Sequence, residues 1–341
     1  MRRGLLVFCV PVLLVVLTGC GGPSYRVTVR RIELGGSSGG CGGVLSSRRD
    51  YGWPVRPFAV QHPIRGGFGD PRTISSEEFG LDGVGDPGSY SFHNGVDISA
   101  RVGTPVYPVV SGQAYFVGAD EVRVRAGRRV FQYIHIAPLV AKGAHVVAET
   151  TSLGTVRLPF RHVHLTEIDG GRVVNPLLHL RPYADRTIPV VQWLDVEGPT
   201  GFVVDPNNLS GDVSALAEAD DLPPLPVPGA WNGFPLAPAF VRVALIGQDG
   251  VVLWSRTVAD FRRGEPPRRD FWDVYAAGTY QNFPVFANHY YWRQPGHYVF
   301  LLTQHPLDTR HFANGSYTLR VVAADICGNR GILSEQIRIG N

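Results

Sequence analysis

Two histidines two residues apart, His162-Val163-His164, are a pair whose spacing has chemical consequences. On an extended strand, side chains two apart point to one face, so both imidazoles would stand over the same surface. That arrangement presents a metal ligand beside a second working group. The flanking residues, Leu158 before and Leu165-Thr166-Glu167-Ile168 after, are compatible with a strand. A second pair, His93 and Asp97, encloses Asn94-Gly95, a turn-forming dipeptide. The turn lets both groups approach one ion while Val96 and Ile98 enter a strand. Two imidazoles and one carboxylate form a donor set that zinc accepts, and three protein ligands leave a fourth position for water. His135 sits in an apolar alternating run, Tyr133-Ile134-His135-Ile136. Taken alone, it reads as a buried histidine bonded to a backbone carbonyl.

Such residues need strands to hold them, and the composition favours strands. The chain has 341 residues, enough for two domains, with 41 glycines and 27 prolines against one methionine and a single lysine, Lys142. This composition favours short strands joined by turns over long helices. From 57 to 183, short alternating runs such as Gln113–Val117 and Val122–Arg125 predict a mainly β, antiparallel domain. Six of the eleven histidines lie in it, between His93 and His179. From 188 to 341 a second β region follows. It carries a hairpin around Gln248-Asp249-Gly250 and closing strands either side of Cys327-Gly328-Asn329. Its end resembles bacterial immunoglobulin-like domains, which implies a β-sandwich. An aromatic-rich stretch (Phe271-Trp272, Tyr275, Tyr280, Phe283, Tyr290-Tyr291-Trp292) reads as an apolar contact between the domains or as a sugar-stacking face.

The first residues bear on location. Arg2 and Arg3 precede an apolar run from Leu5 to Leu17 and the sequence Leu17-Thr18-Gly19-Cys20. A short positive region, a dozen apolar residues and small residues at the cut describe an export signal. The run is shorter than the ~20 residues a spanning helix needs. The ending resembles a bacterial lipobox, which implies that 1–19 are removed and Cys20 is lipidated, tethering the chain to a membrane. Residues 20–56, rich in Gly and Ser, then form a spacer. Gly21 is not the Asp of inner-membrane retention, so the expected location is the outer membrane, facing the periplasm. The formal charge is +3, and most of it goes with Arg2 and Arg3. A chain this close to neutral, without a basic stripe, is not expected to bind nucleic acid. Cys41 and Cys327 remain in a compartment that permits disulfides, and either pairing or two free thiols fits their positions. They lack metal-site spacing.

Taken in order, these residues resemble the lysostaphin-type (LytM-like) zinc endopeptidases that cleave peptidoglycan cross-bridges. The matching positions are Gly67-Phe68-Gly69 with Arg72, His93-x-x-x-Asp97, Gly103-Thr104-Pro105-Val106, Gly112, Tyr133-x-His135, Gly143, His162-x-His164 and Val174-Asn175-Pro176. The resemblance implies a zinc peptidase domain over 57–183, with His93, Asp97 and His164 as metal ligands. It makes His135 and His162 the catalytic pair and peptidoglycan peptides the substrate. No H-E-x-x-H motif is present, so proton transfer would fall to histidine, whose ordinary pKa suits it. A complete ligand set weighs against a runner-up reading, a non-catalytic wall-binding or hydrolase-activating lipoprotein. Two departures stand out. Thr166 occupies a position where the family carries Glu, with Glu167 one residue later. Arg157-Leu158-Pro159-Phe160-Arg161 replaces the usual approach to the histidine pair. Both are expected at the rim of the groove, where they would alter substrate preference. Cys20→Ala is expected to release the protein from the membrane fraction. Retention of that variant after a salt wash would refute the anchor.

Overall fold

Glycine and proline turns cut the chain into strands of two to ten residues, and antiparallel pairing assembles them. The structure is a computed structural model. It describes residue 41 and residues 50–73, 90–282 and 294–341. Residues 1–40, Cys20 included, lie outside the described residues, as do Phe283, His289 and Tyr290-Tyr291-Trp292.

Among the described residues, the largest sheet has eight strands. Seven run in the order β1 (Ile64–Gly66), β4 (Val96–Ser99), β12 (His162–Asp169), β8 (Arg129–Ile134), β7 (Glu121–Ala126), β6 (Gly112–Val117) and β10 (His145–Val146). The eighth, β13 (Arg172–Val174), pairs with the far end of β12. Two smaller assemblies accompany it: β5 (Pro105–Val106), β11 (Gly154–Val156) and β9 (Ile136–Pro138), and the ribbon of β2 (Pro71–Arg72) with β3 (Ser91–Phe92). Strand β12 is covered on both faces, with every residue from His162 to Glu167 buried. Val96, Ile98, Phe131, Tyr133, Val163 and Leu165 are fully buried in the surrounding core.

The chain then enters two four-stranded antiparallel sheets. One holds β14 (Val190–Glu197), β15 (Asp212–Asp220) and β18 (Val299–Leu301), with β19 (Leu307–Asp308) also on β15. The other runs β17 (Val252–Asp260), β16 (Phe240–Ile246), β20 (Gly315–Ala324), β21 (Arg330–Ile339). Strand β20 buries Tyr317, Leu319, Val321 and Ala323 at alternate positions, the period-two pattern of a strand with one covered face.

The changeover between the two sets of sheets is a packed seam. Phe271 and Tyr275, on and just after the four-residue helix α1 (Phe271–Val274), are buried against Phe92 and Phe261, with ring centroids 5.2–6.3 Å apart. Tyr275 Oη donates to Gly69 O at 2.8 Å, the Ala237 amide donates to Asp70 Oδ1 at 2.8 Å, and Asn175 Nδ2 donates to Phe261 O at 3.0 Å. Of the two readings of the aromatic stretch, these described members take the interface role. Cys41 and Cys327 form a disulfide, so Cys41 is tied to the turn between β20 and β21 across 286 residues of sequence.

The same seam gathers three buried carboxylates, Asp185, Asp221 and Asp325, whose oxygens lie within 4.8 Å of one another. Asp221 accepts from its neighbour's amide, Leu222 N, at 2.9 Å, and Asp325 accepts from Asn329 N at 2.8 Å. Burial, then the neighbouring carboxylates, raises the Asp221 pKa well above the ordinary range. Burial foremost raises Asp325 to about 6 and also raises Asp185. Acids that hold protons more tightly when folded subtract stability as pH rises from the ordinary carboxylate range through the raised values. Asp221→Asn keeps the bond from Leu222 and removes one charge. It should raise the melting temperature in chelator at about pH 7.5, with the gain fading as pH falls below about 4, where carboxyls become protonated in both states. A lower melting temperature at the higher pH would refute the repulsion.

Candidate metal centre

Antiparallel pairing of β4 with β12 sets His164 opposite Asp97 and His162 opposite Ser99. On the other side of β4, Gly66 of β1 lies opposite Asp97. The Asn94-Gly95 turn delivers His93 to the same place, and Val96 starts β4 as expected from the sequence. Two glycines permit the approach. A Cβ at Gly95 would fall 2.7 Å from His164 Nε2, and one at Gly66 would fall 2.5 Å from Asp97 Oδ2.

Three imidazole nitrogens converge on one oxygen. His164 Nδ1 lies 3.0 Å, His93 Nε2 3.2 Å and His162 Nε2 3.3 Å from Asp97 Oδ1. His93 Nε2 and His164 Nδ1 are 2.9 Å apart. All four side chains are buried. The remaining ring nitrogens are already engaged: His93 Nδ1 with Gly67 O at 2.7 Å, His162 Nδ1 with Phe160 O at 2.9 Å, His164 Nε2 with Thr166 Oγ1 at 2.7 Å. A carbonyl only accepts, so Nδ1 of His93 and of His162 must carry the hydrogen. In the neutral ring that leaves Nε2 of each as a lone pair.

Burial keeps the His93 and His162 rings neutral. Burial first, then the Arg72 charge, lowers the His93 pKa to about 3. Burial and then Arg65 lower that of His162. For Asp97, burial pulls upward, but the surrounding positive charge outweighs it and holds the carboxyl well below its usual range. Arg72 adds an ion pair to Asp97 Oδ2 at 3.1 Å. Lone pairs aimed at an ionised carboxylate repel one another unless a cation lies among them. The set His93, Asp97 and His164, with ligand atoms within 4.8 Å of one another, therefore fits a divalent ion. Two nitrogens and one oxygen suit zinc, and the bonds to Gly67, Thr166 and Arg72 are the outer contacts that orient such ligands.

His135 does not lie within a strand. It occupies the one-residue break between β8 and β9 with φ of 67°, a left-handed conformation uncommon outside glycine. The break turns its ring toward the site. The ring centroid lies 4.5 Å from that of His162, and the ring stacks on Phe160 at 3.9 Å. Its Nδ1 is buried without a hydrogen-bond partner, so the expected bond to a backbone carbonyl is not made there. Burial, then His162, lowers its pKa.

All five residues singled out in the sequence thus meet. Of the two departures, Thr166 is not at a rim, whereas Arg157, Leu158, Pro159 and Arg161 are exposed as expected. Thr166 is fully buried and holds His164, and Phe160 forms the plane beneath His135. Glu167 points to the opposite face of β12. There it accepts from Tyr51 Oη at 2.6 Å, pairs with Arg129 at 2.7 Å and lies 2.9 Å from His179 Nδ1. Period two already places Thr166 on the face of His162 and His164, a signal available in the sequence. Phe160 carried no such signal, because its role depends on the turn before β12.

No protein-family model and no curated protein matches the chain. Among solved structures it is similar to Helicobacter pylori Csd3, at 21% identity over 40% of this chain and 36% of that one, with a TM-score of 0.29. It is also similar to the catalytic domain of the prophage-encoded M23 protein EnpA from Enterococcus faecalis. There the identity is 25% over 28% of this chain and 81% of that one, with a TM-score of 0.23. A zinc containing peptidase from Vibrio cholerae matches at 24% identity over 37% of this chain and 39% of that one, with a TM-score of 0.28. The match spans about a third of the Csd3 chain. At these scores the reading of the site rests on its own geometry.

Thr166→Val keeps the shape of residue 166 and removes the partner of His164 Nε2. Zinc affinity, measured by chelator competition, should fall about 10–100-fold while the fold persists. Unchanged affinity would show that Thr166 does not orient the ligand.

Proposed function

We propose that this protein is a zinc endopeptidase that hydrolyses peptide cross-links of peptidoglycan. The observation that carries the reading is the convergence of His93, His162 and His164 on Asp97 Oδ1, each through a ring whose other nitrogen is already engaged. His93, Asp97 and His164 would hold the ion. Bound there, zinc supplies a Lewis acid that polarises a scissile carbonyl and lowers the pKa of water.

The chain's own residues handle the proton. His162 Nε2 is a free lone pair beside the ligand cluster, and its depressed pKa keeps it unprotonated at neutral pH. It accepts the proton of the attacking water and returns it to the leaving amine. His135, held against Phe160 and next to His162, is the second imidazole at the reacting centre and supports the charge that develops on the carbonyl oxygen. In this reading the chain is exported and tethered through a lipid on Cys20, on the outer membrane facing the periplasm. The second β region, an immunoglobulin-like sandwich in this proposal, backs the peptidase.

The test pairs metal content with release of cross-linked peptides from purified sacculi. His164→Ala should lose both zinc and activity. His162→Ala should keep zinc and lose about 10²–10⁴-fold in rate. Loss of zinc by His162→Ala but not by His164→Ala would overturn the assignment, and full activity without metal would remove the mechanism.

A further inference from the structure

Two arginines face the candidate metal centre, and only one of them is spoken for. Arg72 pairs with Asp97 Oδ2. Arg65, on β1 beside the strand that carries Asp97, has no ion pair among the described residues, and its Nε is buried without a hydrogen-bond partner. Its guanidinium instead lies over the Trp231 ring, 4.2 Å from the centroid. Trp231 comes from the proline-rich connection between β15 and β16, whose Ala237 amide is fastened to Asp70. Arg65 is the extra residue of a β-bulge between Ile64, opposite Ile98, and Gly66, opposite Asp97, which places it beside the candidate metal centre. A partly desolvated cation with no directly bonded counter-charge is costly, and a stacked guanidinium presents its donors edge-on in a fixed plane. The group that such a fork recognises is a carboxylate, taken through two parallel hydrogen bonds.

Resting on the endopeptidase reading, we infer that Arg65, oriented by Trp231, binds a free carboxylate on the substrate residue next to the scissile bond. The protein would then select acidic stem peptides over those whose carboxylates are amidated. Arg65 is a specificity residue in this scheme, and the C-terminal region supplies the ring that holds it.

The probe is a pair of cross-linked peptide pools from one batch of sacculi, untreated and with the carboxylates converted to carboxamides. Binding is measured by calorimetry on the zinc-loaded His162→Ala chain, which does not turn the peptides over, and hydrolysis on the zinc-loaded parent. The untreated pool should bind about 10–100-fold more tightly than the amidated one, and the difference should appear in KM. Arg65→Gln should erase the preference with zinc content unchanged, and Arg65→Lys should keep part of it. Equal binding of both pools by the parent sequence would overturn the inference, whether or not Arg65→Gln folds. So would an Arg65→Gln variant that lowers kcat equally on both pools at unchanged KM, since that assigns Arg65 to the transition state. Discriminating binding without hydrolysis would leave this inference standing and overturn the endopeptidase reading instead.

Discussion

The register between β4 and β12 is the constraint on which the rest of the site depends. It sets His164 directly across from Asp97 and leaves His162 one pleat away on the same face. A slip of one residue would send both imidazoles to the opposite face, where Leu165 and Val163 now pack, and would leave Asp97 buried with no nitrogen facing it. The register is therefore defended by packing as well as by ladder bonds. Both faces of β12 are covered, and Gly66 and Gly95 are the gaps through which neighbouring strands come close enough.

Burial then decides the charge states. Imidazoles that are solvated titrate near neutrality, whereas His93 and His162 are buried and committed through Nδ1 to a carbonyl. The result is that His93 and His162 are neutral rings with fixed tautomers beside an ionised carboxylate, an arrangement that calls for a cation. Thr166 gives His164 a buried hydroxyl partner at Nε2, which orients the ring toward Asp97.

The second β region is more than an appendage. Its aromatic residues fill the seam under Gly69 and Phe92, its Ala237 amide holds Asp70, and its Trp231 faces Arg65. Asp70 in turn accepts from Gly67 N, and Gly67 O receives the His93 Nδ1 hydrogen. A continuous path of hydrogen bonds thus links the connection before β16 to a candidate metal ligand. The Cys41–Cys327 disulfide fastens Cys41 to the same region.

Much of this was legible in the order of residues. Period-two runs and abundant turns are local properties, so the β class, the strand carrying His162 and His164, and the turn between His93 and Asp97 could all be read directly. The five site residues were recognisable from spacing together with a family resemblance. Other features depend on contacts between distant segments. His135 reads as a strand residue, yet a left-handed backbone break aims it at His162. Glu167 sits one position from Thr166 in sequence but on the far side of the strand, bonded to Tyr51 and His179. Arg65 and Trp231 are 166 residues apart by number, and no local pattern pairs them. Sequence by itself determined which side chains could do chemistry and on which strand face they stand. Tertiary structure alone decided which nitrogens are left free, which charges are neutralised and which are not, because those outcomes follow from burial and from partners that only folding brings within hydrogen-bond distance.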